Sequence, residues 1–481
     1  MKAFGTLAVM AFAVLVTAAI WLGALNQDEG WYLYAAGLVG DGRMPYRDFF
    51  YTQGPLMPIV YSAFTGVWKC WGLLGARILT AGFGLAAILV AVAWARRLAG
   101  EGRRAFAGLA TFFLLGCNLY HLYYTAIPKT YALAGLFVVV GFYLLSFVSH
   151  PPEGWGRARA AACALGAGVA FAFAAGTRIS LGAIMPVVGC WLLFSHRRWP
   201  LAGFCVGGFS ALALVYGPFL VDPAAREGLM AAQAYHASRG GFDPVFTVGS
   251  LSRLVRWYLP VFILFGLAFR AAVRSLAFWA FGAVVAVQML APFPYEDYQV
   301  PVMALLAVVS AVGYARREGG ASMLPVLGLA FACAFGSHLL ERWMTNGQDR
   351  FWTLKKERPE LAQLRDVARR INELDPGGKT LLTQDTYLAI ETGRRVPEGL
   401  EMGPFAMLSP ERWNELLGSA PCPVAALSGY SFAIDPPKCT EVPMDRQIEC
   451  WTILKRNYDL AFEEQHFGQN ATTLLVLERK K

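Results

Sequence analysis

Residues 26–58, NQDEGWYLYAAGLVGDGRMPYRDFFYTQGPLMP, decide how the rest of the chain is to be understood. They follow an apolar run, residues 6–25, as long as the roughly 20 residues that a helix needs to cross a bilayer. The stretch opens with Asp28 and Glu29 where that run meets water. It continues through a Tyr-rich segment, 31–39, turns at Pro45-Tyr46-Arg47-Asp48-Phe49 and breaks at Gln53-Gly54-Pro55. Polar, aromatic and turn-forming residues gather here, and the sequence on both sides is apolar.

Outward from this loop, the 481 residues are 56% hydrophobic and only 16% charged, against about 25% charged in soluble proteins. That composition implies a polytopic membrane protein. Ten further apolar runs follow the first, at 78–94, 105–119, 131–148, 160–175, 181–194, 201–221, 258–269, 276–292, 300–315 and 323–340. They predict about eleven spans. With the N-terminus inside, the clusters Arg96-Arg97, Arg103-Arg104, Arg157/Arg159, Arg197-Arg198, Arg270/Arg274 and Arg316-Arg317 all face the cytoplasm. This is the distribution the positive-inside rule requires. The outer loops are then 26–58, 120–130, the Thr177-Arg178 turn, 222–250 and 293–298, and an odd number of spans puts the C-terminus outside as well. The run 56–71, broken at Pro58, would reverse the later loops if it crossed. It is therefore read as a helix lying in the outer interface, as is 31–39. The N-terminal run reads as an uncleaved signal-anchor. The net charge of +9 follows from the inner Arg clusters and does not call for a nucleic-acid partner.

Charged residues become ordinary in frequency after Glu341, so a membrane domain, 1–344, is followed by an extracytoplasmic domain, 345–481. Leu361, Leu364, Val367, Ala368, Ile371 and Leu374 recur at helical spacing. Short strands at 380–383, 423–427 and 472–477 alternate with helices at 410–417 and 450–457, the pattern of a small α/β domain. Of nine cysteines, Cys422, Cys439 and Cys450 fall in this tail, where an oxidising compartment would allow one bridged pair.

The residues able to carry chemistry lie in the outer loops. Asp28 and Glu29 have two open readings: solvated acids at the end of a span, where they oppose the helix dipole, or a base that takes a proton from a hydroxyl. Asp48 reads as a turn cap or ion-pair partner of Arg47 and, alternatively, as part of the site. Arg178 interrupts two apolar runs and either snorkels to the interface or faces a cavity. Lys69, Arg77 and Lys129 sit at the outer ends of apolar segments and, with Arg178, make a basic set suited to a lipid phosphate. Tyr32, Tyr46, Asp48, Gln53, Tyr295 and Tyr298 are assigned to the substrate pocket.

The pattern Asp28-Glu29-Gly30-x-Tyr32…Gly42-x-x-Pro45-Tyr46-x-Asp48-Phe49…Gly54-Pro55 resembles the bacterial GT-C glycosyltransferases, in the branch related to protein O-mannosyltransferases and lipid A aminoarabinose transferases. Arg77 and the loop Pro294…Tyr298…Pro301 are also similar. The resemblance implies inverting transfer of a sugar from a polyprenyl-phosphate carrier to an envelope lipid, glycan or protein at the outer face of the cell membrane. It puts the family's first-loop acid at Asp28, with Glu29 beside it, and the carrier phosphate near Lys69. A divalent cation, Mg or Mn, takes part in some relatives and stays open here. The alternative class is a transporter or flippase, but no repeat relates the two halves of the sequence.

Overall fold

The computed structural model describes residues 2–238, 240–317, 322–331, 358–405, 408–428 and 444–480. Within these, the chain is mostly helical and multi-pass. Helix α1 (Lys2–Leu22) is followed by α2 (Gln27–Gly40), α3 (Leu56–Ser62), α4 (Thr65–Ala99), α5 (Arg104–Gly116), α6 (Leu119–Ala126), α7 (Thr130–Ser149) and α8 (Arg157–Thr177). Then come α9 (Ile184–Phe194), α10 (Arg198–Val221), α11 (Pro223–Ser238), α12 (Pro244–Trp257), α13 (Leu259–Leu267), α14 (Phe269–Ala272), α15 (Leu276–Met289), α16 (Val300–Ala315) and α17 (Met323–Phe331).

Each predicted span coincides with helix, yet they are of different kinds. Among the described residues six helices are long and apolar enough to cross a membrane: α1, α4, α7, α8, α10 and the unit Glu296–Ala315 that contains α16. The predicted spans at 105–119 and 258–269 are instead limbs of bent pairs, α5–α6 at 69° and α12–α13 at 82°. Predicted outer loop 120–130 is therefore largely the buried helix α6, and loop 222–250 is largely α11 and α12. Residues 184–194 and 276–289 are shorter apolar helices. The last predicted span is described only as far as Phe331, and the proposed 344/345 domain boundary lies outside the described residues.

Packing explains these differences. Helix α16 is apolar on every side and buried almost throughout, so it is the axis of the bundle rather than a lipid-facing span. Helices α8 and α10 approach closely because glycines face backbone: a Cβ on Gly207 would stand 2.2 Å from the Leu165 carbonyl oxygen, and one on Gly168 2.3 Å from that of Phe204. Helix α4 breaks at Gly72, whose φ of +61° suits glycine, so Thr65–Trp71 is a short interfacial limb and 73–99 the span. The interfacial helix predicted at 56–71 is thus two pieces, α3 and this limb.

Beyond the membrane bundle, helix Glu360–Leu374 buries its apolar stripe. Strands β1 (Val424–Ser428), β2 (Tyr458–Phe467) and β3 (Thr472–Arg479) form an antiparallel sheet in the order β1-β3-β2. Strand β2 escaped the sequence because its Glu463-Glu464-Gln465 segment lies on an edge strand with much of its surface exposed. Residues 380–383 make isolated bridges from Thr380 to Arg395 and from Leu382 to Ala425. Cys422 and Cys450 are free thiols, and Cys439 lies outside the described residues.

Helix α2 is where the tail meets the bundle, and it corrects two expectations. It is not an interfacial helix with one face in lipid, because Glu29–Ala36 and Leu38 are all buried. One side packs on α3 and α4 and the other on tail helix Thr386–Thr392. A Cβ on Gly30 would lie 2.2 Å from the Tyr387 amide nitrogen, so only glycine permits this docking. Nor do Asp28 and Glu29 end a span. Asn26 caps a new helix, its side chain accepting from the Asp28 N–H at 3.0 Å while Glu29 accepts from the Asn26 N–H at 2.9 Å. Both acids therefore stand at a helix N-terminus, where the dipole favours them.

Candidate active site

The two neighbouring acids point to different places. Glu29 and Arg77 form a buried pair, both side chains 0% exposed, with two contacts of 2.7 Å. Arg77 also donates to the carbonyls of Ile20, Gly23 and Ala24. Its five N–H donors all hold the corner between α1 and α2, so it has no donor to spare for a phosphate. Glu29 is likewise spent on that corner. The positions expected of a catalytic neighbour and a phosphate ligand are structural ones.

Asp28 instead faces a polar cluster. Its Oδ1 accepts from Trp31 Nε1 at 3.0 Å, and its Oδ2 is 2.8 Å from Lys129 Nζ. The Lys129 ammonium, at the N-terminus of α7, is also 3.2 Å from Asp297 Oδ2, which accepts from the Tyr131 hydroxyl at 2.8 Å. Lys129 is thus a buried cation shared by two carboxylates. Its assignment as a free phosphate ligand gives way to one as the bridge of this network. Asp297 escaped the sequence-based set because its Tyr295-Glu296-Asp297-Tyr298 context looks like a solvated acidic loop. The signal is that it enters an apolar helix between Pro294 and Pro301. Glu296 pairs separately with Arg253 at 3.0 Å.

Arg178, the C-cap of α8, also lies beside Tyr131. Its guanidinium is 5.3 Å from the Tyr131 ring centroid and 4.2 Å from that of Tyr298. Among the described residues no carboxylate lies within 4.0 Å of it, and its Nε is buried without a hydrogen-bond partner. It lines a cavity of about 310 Å³ with Thr52, Gln53, Ser180, Gln233, Gln288 and Tyr298. Gln288 donates to Ser180 Oγ at 2.8 Å, while Gln288 Oε1 and Gln233 Nε2 are buried and unpaired. A half-buried guanidinium whose Nε is buried and unsatisfied, beside two amide atoms in the same state, is costly unless something polar binds there.

The first loop is pinned to this cavity. A Cβ on Gly54 would stand 2.2 Å from the Gly176 carbonyl oxygen, so glycine brings Thr52 and Gln53 up to the end of α8. Tyr46, at φ +67°, donates its hydroxyl to the Gln53 carbonyl and packs edge-on to Phe219 at 5.3 Å. Tyr32 is buried against Trp31 and Tyr51, and Tyr295 is an exposed rim residue 5.7 Å from Tyr298. Of the six expected pocket residues, Gln53 and Tyr298 line this cavity, and Tyr46 supports it. Asp48 does not: it caps its own turn, accepting from the Met44 N–H at 2.7 Å and pairing with Arg47 at 2.8 Å. Those contacts, the Arg47 bond first, hold its carboxyl down at about 2. Lys69 lines a different cavity, with Trp71 and Arg395.

A bundle with a buried first-loop acid, a docked outer tail and a facing basic cavity has the fold of the GT-C glycosyltransferases. The crystal structure of ArnT from Cupriavidus metallidurans bound to undecaprenyl phosphate is similar over 99% of this chain and 97% of that one, at 14% identity and a TM-score of 0.64. The archaeal oligosaccharyltransferase AglB from Archaeoglobus fulgidus, in complex with an inhibitory peptide and a dolichol-phosphate, is similar over 88% of this chain and 69% of that one, at 11% identity and a TM-score of 0.51. No protein-family model and no curated protein sequence matches the chain.

Proposed function

We propose that the protein is a membrane glycosyltransferase that moves a sugar from a polyprenyl-phosphate carrier to an acceptor at the outer face of the cell membrane, with Asp28 as general base. The observation that carries this reading is the polarity of the site. A carboxylate network, Asp28–Lys129–Asp297, and a guanidinium that lines a cavity with no carboxylate within 4.0 Å among the described residues meet at Tyr131.

The chemistry follows from that division. An acceptor hydroxyl attacks the anomeric carbon as the bond from that carbon to the phosphate oxygen breaks. The hydroxyl proton passes to Asp28, and the bonding electron pair leaves with the phosphate. Charge therefore develops on the leaving oxygen, where Arg178 is placed to stabilise it. Base and cation on opposite sides of the reacting carbon favour inversion. Lys129 and Trp31 hold the Asp28 carboxylate and aim it. The isoprenoid tail stays in lipid, which requires the phosphate to sit at the membrane surface, with the Arg-rich loops of the bundle on the cytoplasmic side.

The open question of Mg or Mn is addressed by the donor set. The Lys129 ammonium stands between the two carboxylates that would share a divalent ion, and among the described residues no group of three or more His, Cys, Asp or Glu side chains is placed to hold one. No step is routed through a metal.

The test is to incubate purified protein with a panel of polyprenyl-phosphate sugars and detect released polyprenyl phosphate by mass spectrometry. Wild type releases it and Asp28→Asn does not, while still binding the carrier. Near-normal turnover by Asp28→Asn would sink the assignment.

A further inference from the structure

A cavity of about 730 Å³ is separate from the one that Arg178 lines. It lies between the C-terminal end of α2, the interfacial limb of α4 and the tail, and Asp41, Lys69, Trp71, Arg365 and Arg395 are among its walls. Leu38 also lines it, ten residues along α2 from Asp28, which at the helical rise of about 1.5 Å per residue sets the two sites roughly 15 Å apart.

We propose that this cavity is a second lipid site, which binds the phosphate-bearing headgroup of an anionic membrane lipid. Its charge is the first reason. Arg365 is held by Glu391 at 3.2 Å and the Trp71 carbonyl at 3.0 Å, and Arg395 by Asp41 at 2.9 Å. Each guanidinium carries five N–H donors, so these contacts leave donors over. Lys69 has no carboxylate within 4.0 Å among the described residues, which leaves one whole cation for a ligand. Its location is the second reason. Gly72 and Trp71 line the cavity at the break of α4 that precedes its apolar stretch, and Trp71 is 60% exposed, the position in which Trp marks a membrane interface. An amphiphile held at such an interface is the ligand this placement favours. Built room is the third: a Cβ on Gly37, in the wall, would meet nothing within 4 Å.

The assignment concerns binding, not transfer, and stands or falls separately from the proposed reaction. The full chain, purified in detergent, is titrated with phosphatidylglycerol, phosphatidylcholine and glycerol 1-phosphate, and bound ligand is counted by native mass spectrometry. Phosphatidylglycerol binds at least about tenfold more tightly than the zwitterionic lipid, as expected for charge-assisted contacts to an uncompensated phosphate. Lys69→Glu reverses the free charge, and Gly37→Leu fills the space without adding charge. Each lowers phosphatidylglycerol binding about tenfold in protein that elutes as wild type does. Wild-type binding by both variants, or equal binding of the two lipids, overturns the proposal. Glycerol 1-phosphate binding as tightly as phosphatidylglycerol overturns the lipid assignment in favour of a soluble phosphate ester.

Discussion

Replacing Glu29 by Gln leaves a guanidinium with 0% exposure facing a neutral amide. Arg77 cannot escape by deprotonation, because its proton is held far above neutral pH. Two charge-assisted contacts of 2.7 Å become ordinary hydrogen bonds, or one is lost. Removing one partner of such a buried pair costs about 3–5 kcal/mol. The reciprocal change, Arg77→Met, is cushioned because Glu29 can take up a proton, yet it also strips the donors from the Ile20, Gly23 and Ala24 carbonyls that end α1. The double variant Glu29→Leu/Arg77→Leu removes both charges and loses less than the sum of the singles, the signature of a coupled pair. The assay is thermal unfolding in detergent, followed by fluorescence-detected size exclusion, alongside transferase turnover per folded molecule. Glu29→Gln lowers the apparent midpoint by several degrees, while turnover of the molecules that remain folded changes little. A Glu29→Gln protein as stable as wild type but without turnover would refute this reasoning and return Glu29 to the catalytic machinery.

Asp28→Asn lowers turnover by about 10²–10⁴-fold, the span of a lost general base, with carrier binding retained when measured with the unreactive polyprenyl phosphate. Arg178→Ala weakens carrier binding as well as turnover, and Arg178→Lys recovers part of both, as single-turnover kinetics would separate. Gly54→Ala drives a methyl group against the Gly176 carbonyl, and it reduces both stability and carrier affinity because Gln53 moves with the loop. Burial lifts Asp385, in the tail, from its ordinary 3.8 to about 6, so the folded chain holds a proton there that the unfolded chain has released. Tail stability therefore falls as pH rises from about 4 to about 6, by about 3 kcal/mol at 1.36 kcal/mol per unit, and is flat above. Asp385→Asn abolishes that slope, as proteolysis of the tail at pH 5 and pH 8 would report.

The legibility of the sequence had physical limits. Span positions were legible because the bilayer demands continuous apolar length, and each apolar run is mostly helical where it is described. Bends were masked by the apolar runs that reach them: the 69° turn falls at the Asn118 cap and the 82° turn just before Pro260. The two acids stood out from the pattern around them, but that they face different partners was not legible. Adjacent residues on a helix point about 100° apart, so Asp28 faces Lys129 and Glu29 faces Arg77. The Asn26-x-x-Glu29 spacing carried the capping signal that would have placed both acids at a helix start. Asp297 and the separation of Lys69 from Arg178 depend on which loops meet, and that is set by tertiary packing rather than by local pattern.

The burial of α2 has a consequence for the order in which the protein is made. Its N-terminal turn is synthesised well before the segments that wall it in, which follow more than 300 residues later. The Leu25 N–H is satisfied by Glu360, the Gln27 N–H by Gln469 at 2.9 Å, and the Tyr34 hydroxyl accepts from the Val396 N–H at 3.0 Å. Until those residues have been made and have docked, the turn that carries Asp28 lacks the partners that hold it. Insertion of the bundle and assembly of the acid's surroundings are therefore separate events in the life of the chain, and a segment made long after α2 completes the helix that carries Asp28.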